Sequence, residues 1–303
     1  MSPSNAKIDV CIPTWNSGRT LARCLERILG EIAVNRIIIV DNFSGDDTVR
    51  IAEKFGAEMI QEKCGIGKAR QILIENVTTE YFAFIDSDAV LRKGWFKTVI
   101  KIMQSNPRIG AVGGLFFSDN PHERRFWEMR YRRVRTDDPM WERGYLIDTL
   151  IRKEAVEGIS IPEWLTNYED KYIRDYLVSR NYRWVVSKDA SCDHLVGERD
   201  FWKTVIGRRY FGAGLKFLKA VDPSISGKQF FFNGLREPFV SSHAALQARD
   251  PLIIPYRLLA FFFTVIGYVG SSTRFFERIE NDEDYKRRFF KFKRVRSIPT
   301  LNA

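Results

Sequence analysis

From Lys7 to Asp88 the chain alternates short apolar runs with segments whose apolar residues recur every third or fourth position. Lys7 to Thr14 reads as a strand ending in Pro13-Thr14. Asn16 or Ser17 can cap the helix that follows, in which Leu21, Leu25, Ile28 and Leu29 fall on one face. The run Ile37-Ile38-Ile39-Val40, within Arg36 to Asp41, is β-branched throughout and predicts a strand covered on both faces. A turn at Ser44-Gly45-Asp46 opens a second helix, closed by Gly56. Glu58 to Gln61 predicts a third strand, Gly67 to Val77 a third helix and Tyr81 to Asp86 a fourth strand. Strands alternating with helices of this length predict a parallel sheet with helices on both faces.

Past Asp88 the rhythm loosens. Lys93 to Gln104 predicts a helix, Ile109 to Phe117 a strand around Gly113-Gly114, and Tyr145 to Ile151 another strand. Tyr168 to Ser179 reads as a helix and Arg183 to Val186 as a strand, with residues 123–136 as a basic helix between. Beyond Gly197 the chain turns helical, aromatic and basic. The expected fold class is therefore α/β, a Rossmann-like and mostly parallel sheet over residues 1–197, with a helical extension over 198–303.

Composition narrows the partners. At 303 residues, 45% hydrophobic and 28% charged, the chain can bury a sizeable core. A net charge of +10 calls for an anionic partner: nucleotide phosphates, anionic lipid or nucleic acid. Nucleic acid drops out because the basic residues accompany no recognition fold. Cys11, Cys24, Cys64 and Cys192 lack the spacing of a metal or disulfide framework, the usage of a reducing compartment. The N-terminal residues lack a basic-then-apolar leader, so a cytoplasmic location is expected.

Open parallel sheets bind ligands at the carboxyl ends of their strands. Three such ends carry polar groups: Pro13-Thr14, Asp41-Asn42 and Asp86-Ser87-Asp88. No glycine-rich phosphate loop lies between them, which argues against a dehydrogenase or a P-loop enzyme. A carboxylate pair repels a phosphorylated ligand unless a divalent cation bridges the two, and that points to metal binding at Asp86 and Asp88. Asp46 and Asp47 read instead as turn and cap residues.

The segments Val10-Cys11-Ile12-Pro13-Thr14-Trp15-Asn16, Ile39 to Asp46, Gly65 to Arg70 and Phe82 to Asp88 resemble, in order and spacing, successive blocks of the family 2 glycosyltransferases. That resemblance implies a GT-A fold, a nucleoside-diphosphate-sugar donor, and Mg²⁺ or Mn²⁺ at the Asp-x-Asp element. Residues 1–118 would then be the nucleotide-sugar-binding half and 119–197 the acceptor-side half. Pro13, Thr14, Asp41, Asn42, Arg70, Asp86 and Ser87 would line the donor pocket, with Asp86 and Asp88 at the metal. Asp41-Asn42 departs from the Asp-Asp of many relatives, and Arg70 has an alternative partner in Glu75 on its own helix. Tyr168-Glu169-Asp170, followed by Asn181 to Val186, Asp189-Ala190 and His194, resembles the acceptor-side block. There Asp170 would be the catalytic base of an inverting transfer and His194 a further metal ligand. A first-turn position favours an ionised Asp170, but Asn167-x-x-Asp170 also has the spacing of a capping box. The glycine expected in the loop ahead of Asp148 to Arg152 is displaced to Gly144.

Two regions add a surface. Residues 124–135 and 201–211 interleave arginines with aromatics, which fits either a helix packed on the sheet or docking on an anionic membrane. Leu258 to Gly270 is almost wholly apolar but interrupted upstream by Pro255 and Arg257, short for a comfortable span. The tail beyond it carries Lys286, Arg287, Arg288, Lys291, Lys293 and Arg294. A peripheral enzyme at the inner membrane face, with a lipid-linked or glycan acceptor, fits this arrangement. So does a core or homodimer helix. Two other functions share the motif set: a sugar-phosphate nucleotidyltransferase, for which Trp15-Asn16-Ser17-Gly18-Arg19 is a poor phosphate loop, and a non-catalytic nucleotide- or membrane-binding module.

Overall fold

The computed structural model describes residues 6–120, 124, 127, 128, 131, 144–163, 165, 167–196, 208, 211–216, 242, 245, 246, 249 and 251–270. The chain divides into two compact units, Met1–Gly197 and Glu198–Ala303. Of the expected basic helix, positions 124, 127, 128 and 131 are helical. Its remaining positions, most of 201–211 and the basic tail lie outside the described residues.

The first unit is built on one eight-stranded sheet in the order β3-β2-β1-β4-β7-β6-β8-β5. Its strands are β1 (Ile8–Thr14), β2 (Val34–Asp41), β3 (Glu58–Gln61), β4 (Tyr81–Ile85), β5 (Ala89–Leu91), β6 (Ile109–Ser118), β7 (Asp148–Arg152) and β8 (Arg183–His194). The helices between them are α1 (Leu21–Glu31), α2 (Thr48–Lys54), α3 (Ile66–Asn76), α4 (Trp95–Ser105) and α5 (Glu169–Ser179). β1 to β4 pair in parallel, as the alternation of strands and helices predicts. The second half does not continue the pattern: β7 is antiparallel to both β4 and β6, and β5 is antiparallel to β8. Hydrophobic period reports which face a residue takes, not which neighbour its strand pairs with. The short β5 and the full length of β8 were for the same reason not visible in the sequence pattern.

Side-chain alternation along the strands sorts the core into two layers. Val10, Ile12, Ile39 and Ile85 pack with Leu21, Leu25 and Ile28 of α1 and with Trp95, Val99 and Met103 of α4. Leu29, expected on that face of α1, is half exposed, and Cys24 takes the buried place instead. Leu29 follows Ile28 by one residue, a rotation that carries it off the stripe. Phe82 and Phe84 point to the opposite face, where α3 lies against β1 and β2. The second helix starts after the Asp46 carboxylate accepts the backbone N–H of Thr48, the turn role expected of it, and stops before Gly56 at φ +71°. A glycine is required at Gly114, where a Cβ would lie 2.2 Å from the buried carboxyl of Asp148. That carboxyl accepts the Trp95 indole N–H at 2.9 Å, and burial pushes its pKa well up.

At the amino ends of the strands a polar knot joins β1, β2 and the approach to β4. Asp9, fully buried, accepts hydrogen bonds from the Thr78 backbone and hydroxyl, the Asn35 amide and the Arg36 guanidinium. Burial alone would raise its pKa, but those donors outweigh it and hold the carboxyl at about 2. A carboxyl depressed in the folded state contributes stability above its unfolded pKa and loses it as pH falls through the folded value. Asp9→Asn should therefore cost about 2 kcal/mol at neutral pH. In urea denaturation series the difference between variant and parent should shrink between about pH 4 and pH 2. A difference independent of pH would contradict this account.

In the second unit the one extended described element is α6 (Ile253–Gly270), with residues 211–216 also helical. Among the described residues no helix is long and apolar enough to cross a membrane.

Candidate functional site

The parallel register of β1, β2 and β4 places Thr14, Asp41 and Asp86 at neighbouring carboxyl ends. Their side chains divide the work unequally. Asp41 is fully buried and accepts the Thr14 hydroxyl at 3.0 Å, together with the backbone N–H and hydroxyl of Ser44. It braces the β2 loop rather than facing outward. Asn42 is half-buried, its side-chain carbonyl accepting the Cys64 N–H at 3.2 Å, and is the more accessible of the pair. Pro13 is buried within β1, so only its neighbour Thr14 stands at the strand end.

Two loops are laced together here. Asn16 N–H donates to the Ser44 hydroxyl, Gly45 N–H to the Asn16 side chain, Ser17 N–H to the Thr48 hydroxyl and Gly18 N–H to Asp46, each at 2.7–2.9 Å. The lacing holds Asn16 and Phe43 at positive φ, uncommon for residues with side chains. It also presents Trp15 and Phe43, 54% and 58% exposed, at the rim. Ser87 joins the same frame through a 2.7 Å hydrogen bond with Ser17.

Asp86 falls on the side of the sheet that Phe82 and Phe84 share, the side covered by α3. Arg70 reaches it from α3. The guanidinium lies 4.5 Å over the Phe84 ring and donates to the Asp86 carboxylate at 2.6 Å. The alternative partner, Glu75, accepts from Gln71 instead. Arg70 is 2% exposed, yet among the described residues its Nε and Nη1 have no hydrogen-bond partner. Burial pushes the Asp86 pKa up and the Asp88 charge adds to that, while Arg70 and His194 oppose it. Buried guanidinium donors without acceptors are costly unless something else supplies the acceptors.

Asp88 lies one turn further on. β5 pairs Ala89 with His194, and this register brings His194 Nε2 to 3.2 Å from the Asp88 carboxylate. Two of the three expected metal ligands thus meet, while Asp86 has one oxygen engaged by Arg70. Among the described residues no three His, Cys, Asp or Glu side chains form a preset cation cage. The donor set of carboxylate and imidazole suits Mn²⁺ at least as well as Mg²⁺, with the remaining positions left to ligand oxygens.

Asp170 is 6% exposed and sits in the first turn of α5. The helix begins at Glu169 after Tyr168 at φ +65°, so Asp170 is its second residue and the capping-box spacing is not met. The sequence reading missed what anchors this region. Gln71 of α3 accepts the Ile161 N–H at 2.9 Å and donates to the Ile159 carbonyl at 3.2 Å, standing in for a strand partner. A Cβ on Gly67 would lie 2.3 Å from the Leu165 carbonyl, and Lys68 pairs with Glu62 and Glu163. The helix that carries Arg70 therefore also fastens the loop leading to Asp170. Gly67 was visible as one of two glycines at a helix start, but nothing local marks Gln71.

Residues 9–159 match the family described as Glycosyl transferase family 2. Glycosyltransferase GlyG of Streptococcus pneumoniae is 28% identical over 120 residues, 37% of this chain and 40% of that protein. Glycosyltransferase GlyA of the same organism is 30% identical over 129 residues, 40% of this chain and 18% of that one. The chain thus spans less than half the length of these curated relatives. Among solved structures, the mannosyltransferase PcManGT of Pyrobaculum calidifontis, in complex with GDP-Man and Mn²⁺, has a similar fold, with a TM-score of 0.57. It is 16% identical, over 96% of this chain and 83% of that one. Residues 1–349 of S. aureus TarS in complex with UDP match with a TM-score of 0.51 and 16% identity, over 88% of this chain and 93% of that one.

The Arg70–Asp86 pair can be tested without a ligand. Arg70→Met should cost roughly 2 kcal/mol in urea denaturation, because it leaves a carboxyl under α3 without its cation. Combining it with Asp86→Asn should recover more than about 1 kcal/mol of that loss. Strictly additive effects would mean that the two side chains do not depend on each other.

Proposed function

Because this chain, through residues 9–159, belongs to glycosyl transferase family 2, we propose that it is an inverting, nucleotide-sugar-dependent glycosyltransferase with a GT-A fold. The observation that carries the reading is the buried Arg70 guanidinium. Among the described residues two of its nitrogens lack acceptors at the carboxyl edge of a parallel sheet, and the oxygens of a nucleotide donor would supply them as the strand-end loops over the guanidinium shift to admit it. In this reading Thr14 and Asn42 border the nucleotide, and Trp15 and Phe43 offer exposed aromatic faces beside it. Arg70 contacts the donor while it steadies Asp86. Asp88, His194 and the second oxygen of Asp86 would hold Mg²⁺ or Mn²⁺, which offsets charge on a diphosphate. Support for a metal also comes from PcManGT, whose solved complex contains Mn²⁺.

Asp170 acts on the acceptor. Its carboxylate takes the proton of an acceptor hydroxyl as that oxygen bonds to the anomeric carbon. The bond from that carbon to the diphosphate oxygen breaks on the opposite side, and configuration inverts. The proposal extends to a lipid-linked or glycan acceptor at the cytoplasmic face of a membrane. The net charge of +10 supports that extension.

Calorimetry with nucleoside diphosphates and nucleotide sugars in the presence of Mn²⁺ should find one donor that binds and is consumed. Release of pyrophosphate from a nucleoside triphosphate would instead identify a nucleotidyltransferase. With the donor known, Asp170→Asn should lower kcat by roughly 10²- to 10⁴-fold and leave donor affinity intact. If Asp170→Asn changed no measurable property, the chain would be a binding module.

Gln71→Leu should lower kcat about tenfold with donor Kd within about twofold, through misplacement of the loop before Asp170. Gln71→Glu, which puts a carboxylate against the Ile159 carbonyl and Glu75, should lose at least as much. Unchanged kcat in both variants would remove Gln71 from this role.

A further inference from the structure

We propose that the outward face of α6 seats the protein on an anionic bilayer surface. The helix is two-sided. Pro255, Leu258, Phe262, Ile266 and Val269 are all exposed and recur every three or four residues, forming one continuous apolar stripe. Leu258 is 43% exposed, Phe262 56% and Val269 68%, values uncommon for residues of this size on a polar surface.

The opposite side has small residues and is occupied. Ala260 is buried, and Thr264 folds its hydroxyl back to the Ala260 carbonyl at 2.7 Å. Residues 211–216 lie so close to this side that a Cβ on Gly212 would come within 1.8 Å of the Thr264 carbonyl and 2.7 Å of the Tyr268 nitrogen. Ala213 beside it is also buried. The helix thus packs Ala260 and Thr264 against its own unit and leaves Leu258, Phe262, Ile266 and Val269 facing outward. Lying in the interface, with one face in protein and the other in acyl chain, suits that sidedness.

Charge selects the occupant. Between Ser271 and Arg296 nine Lys or Arg outnumber five Asp or Glu; the acidic residues end at Asp284, and from Lys286 onward every charged residue is basic. Anionic lipid head groups attract a stretch of that net charge. An apolar stripe followed in the chain by a net-basic stretch therefore fits a negatively charged membrane. The inference stands apart from the catalytic reading, because it uses only residues of the second unit and the tail.

The test is co-sedimentation of the full chain with vesicles of phosphatidylcholine alone, or with about one-third phosphatidylglycerol. The chain should pellet with the anionic vesicles, release on raising salt, and bind the zwitterionic ones weakly. Phe262→Ser combined with Ile266→Ser should weaken partitioning roughly tenfold or more. Its melting temperature should stay near that of the parent, since both side chains are exposed. Phe262→Trp should give a blue-shifted emission on vesicle addition, a signal that depends on insertion and not on charge. Absent vesicle binding, unchanged partitioning of the double variant, or an unshifted tryptophan would overturn the proposal. So would a concentration-dependent dimer abolished by the double variant, which would assign the stripe to a second copy. Donor calorimetry on the same preparations separates the two readings: loss of one result leaves the other standing.

Discussion

A guanidinium cannot lie under a helix on an aromatic ring unless its charge is answered, and among the described residues Asp86 answers Arg70. Much of the first unit is arranged around that constraint. Asp86 falls on the α3 side because it continues the alternation of Phe82 and Phe84 along β4. Arg70 reaches it because α3 packs against β1 and β2 on that side of the sheet. The pair leaves two arginine nitrogens without acceptors in a place water does not reach. In a protein interior that is an expensive arrangement.

Around this pair, polar residues build a frame. Asp41, Ser44, Asp46, Ser17 and Ser87 bond to one another or to loop backbone and hold two strand-end loops in uncommon conformations. Asn42, Asp88 and His194 are only partly buried beside it. Residues with the same local signature, a carboxylate just past an apolar strand, thus end in different roles. Asp41 is sealed into the frame, Asp86 neutralises a buried cation, and Asp88 meets a histidine brought from a strand more than a hundred residues later.

Placement of Asp170 follows from packing rather than from chain order. Gly67 lets the loop at Leu165 approach the start of α3, and Gln71 supplies that loop with two backbone-like hydrogen bonds. One helix therefore sets both the buried Arg70 cation and the path of chain into Asp170. A helix packed from both sides transmits small displacements between them, because dense packing has no slack to absorb them.

The repeated strand and helix pattern up to Asp86, the three polar strand ends and the Asp-x-Asp spacing were legible in residues 7–88, because period, turn residues and strand ends are local properties of a chain. Asp46 as a turn residue was legible for the same reason. The antiparallel insertion of β7 between β4 and β6 was not, since strand pairing is settled by which edges are free once the sheet assembles. Nor was the choice of Asp86 over Glu75 as the partner of Arg70, which depends on how α3 lies across the sheet. Leu29 turned outward because one residue is enough to leave a helical stripe. The carboxylates at strand ends were written in the sequence. Tertiary structure decided which of them is buried, which holds a cation and which faces a histidine, because burial and partnership belong to elements brought together from distant parts of the chain.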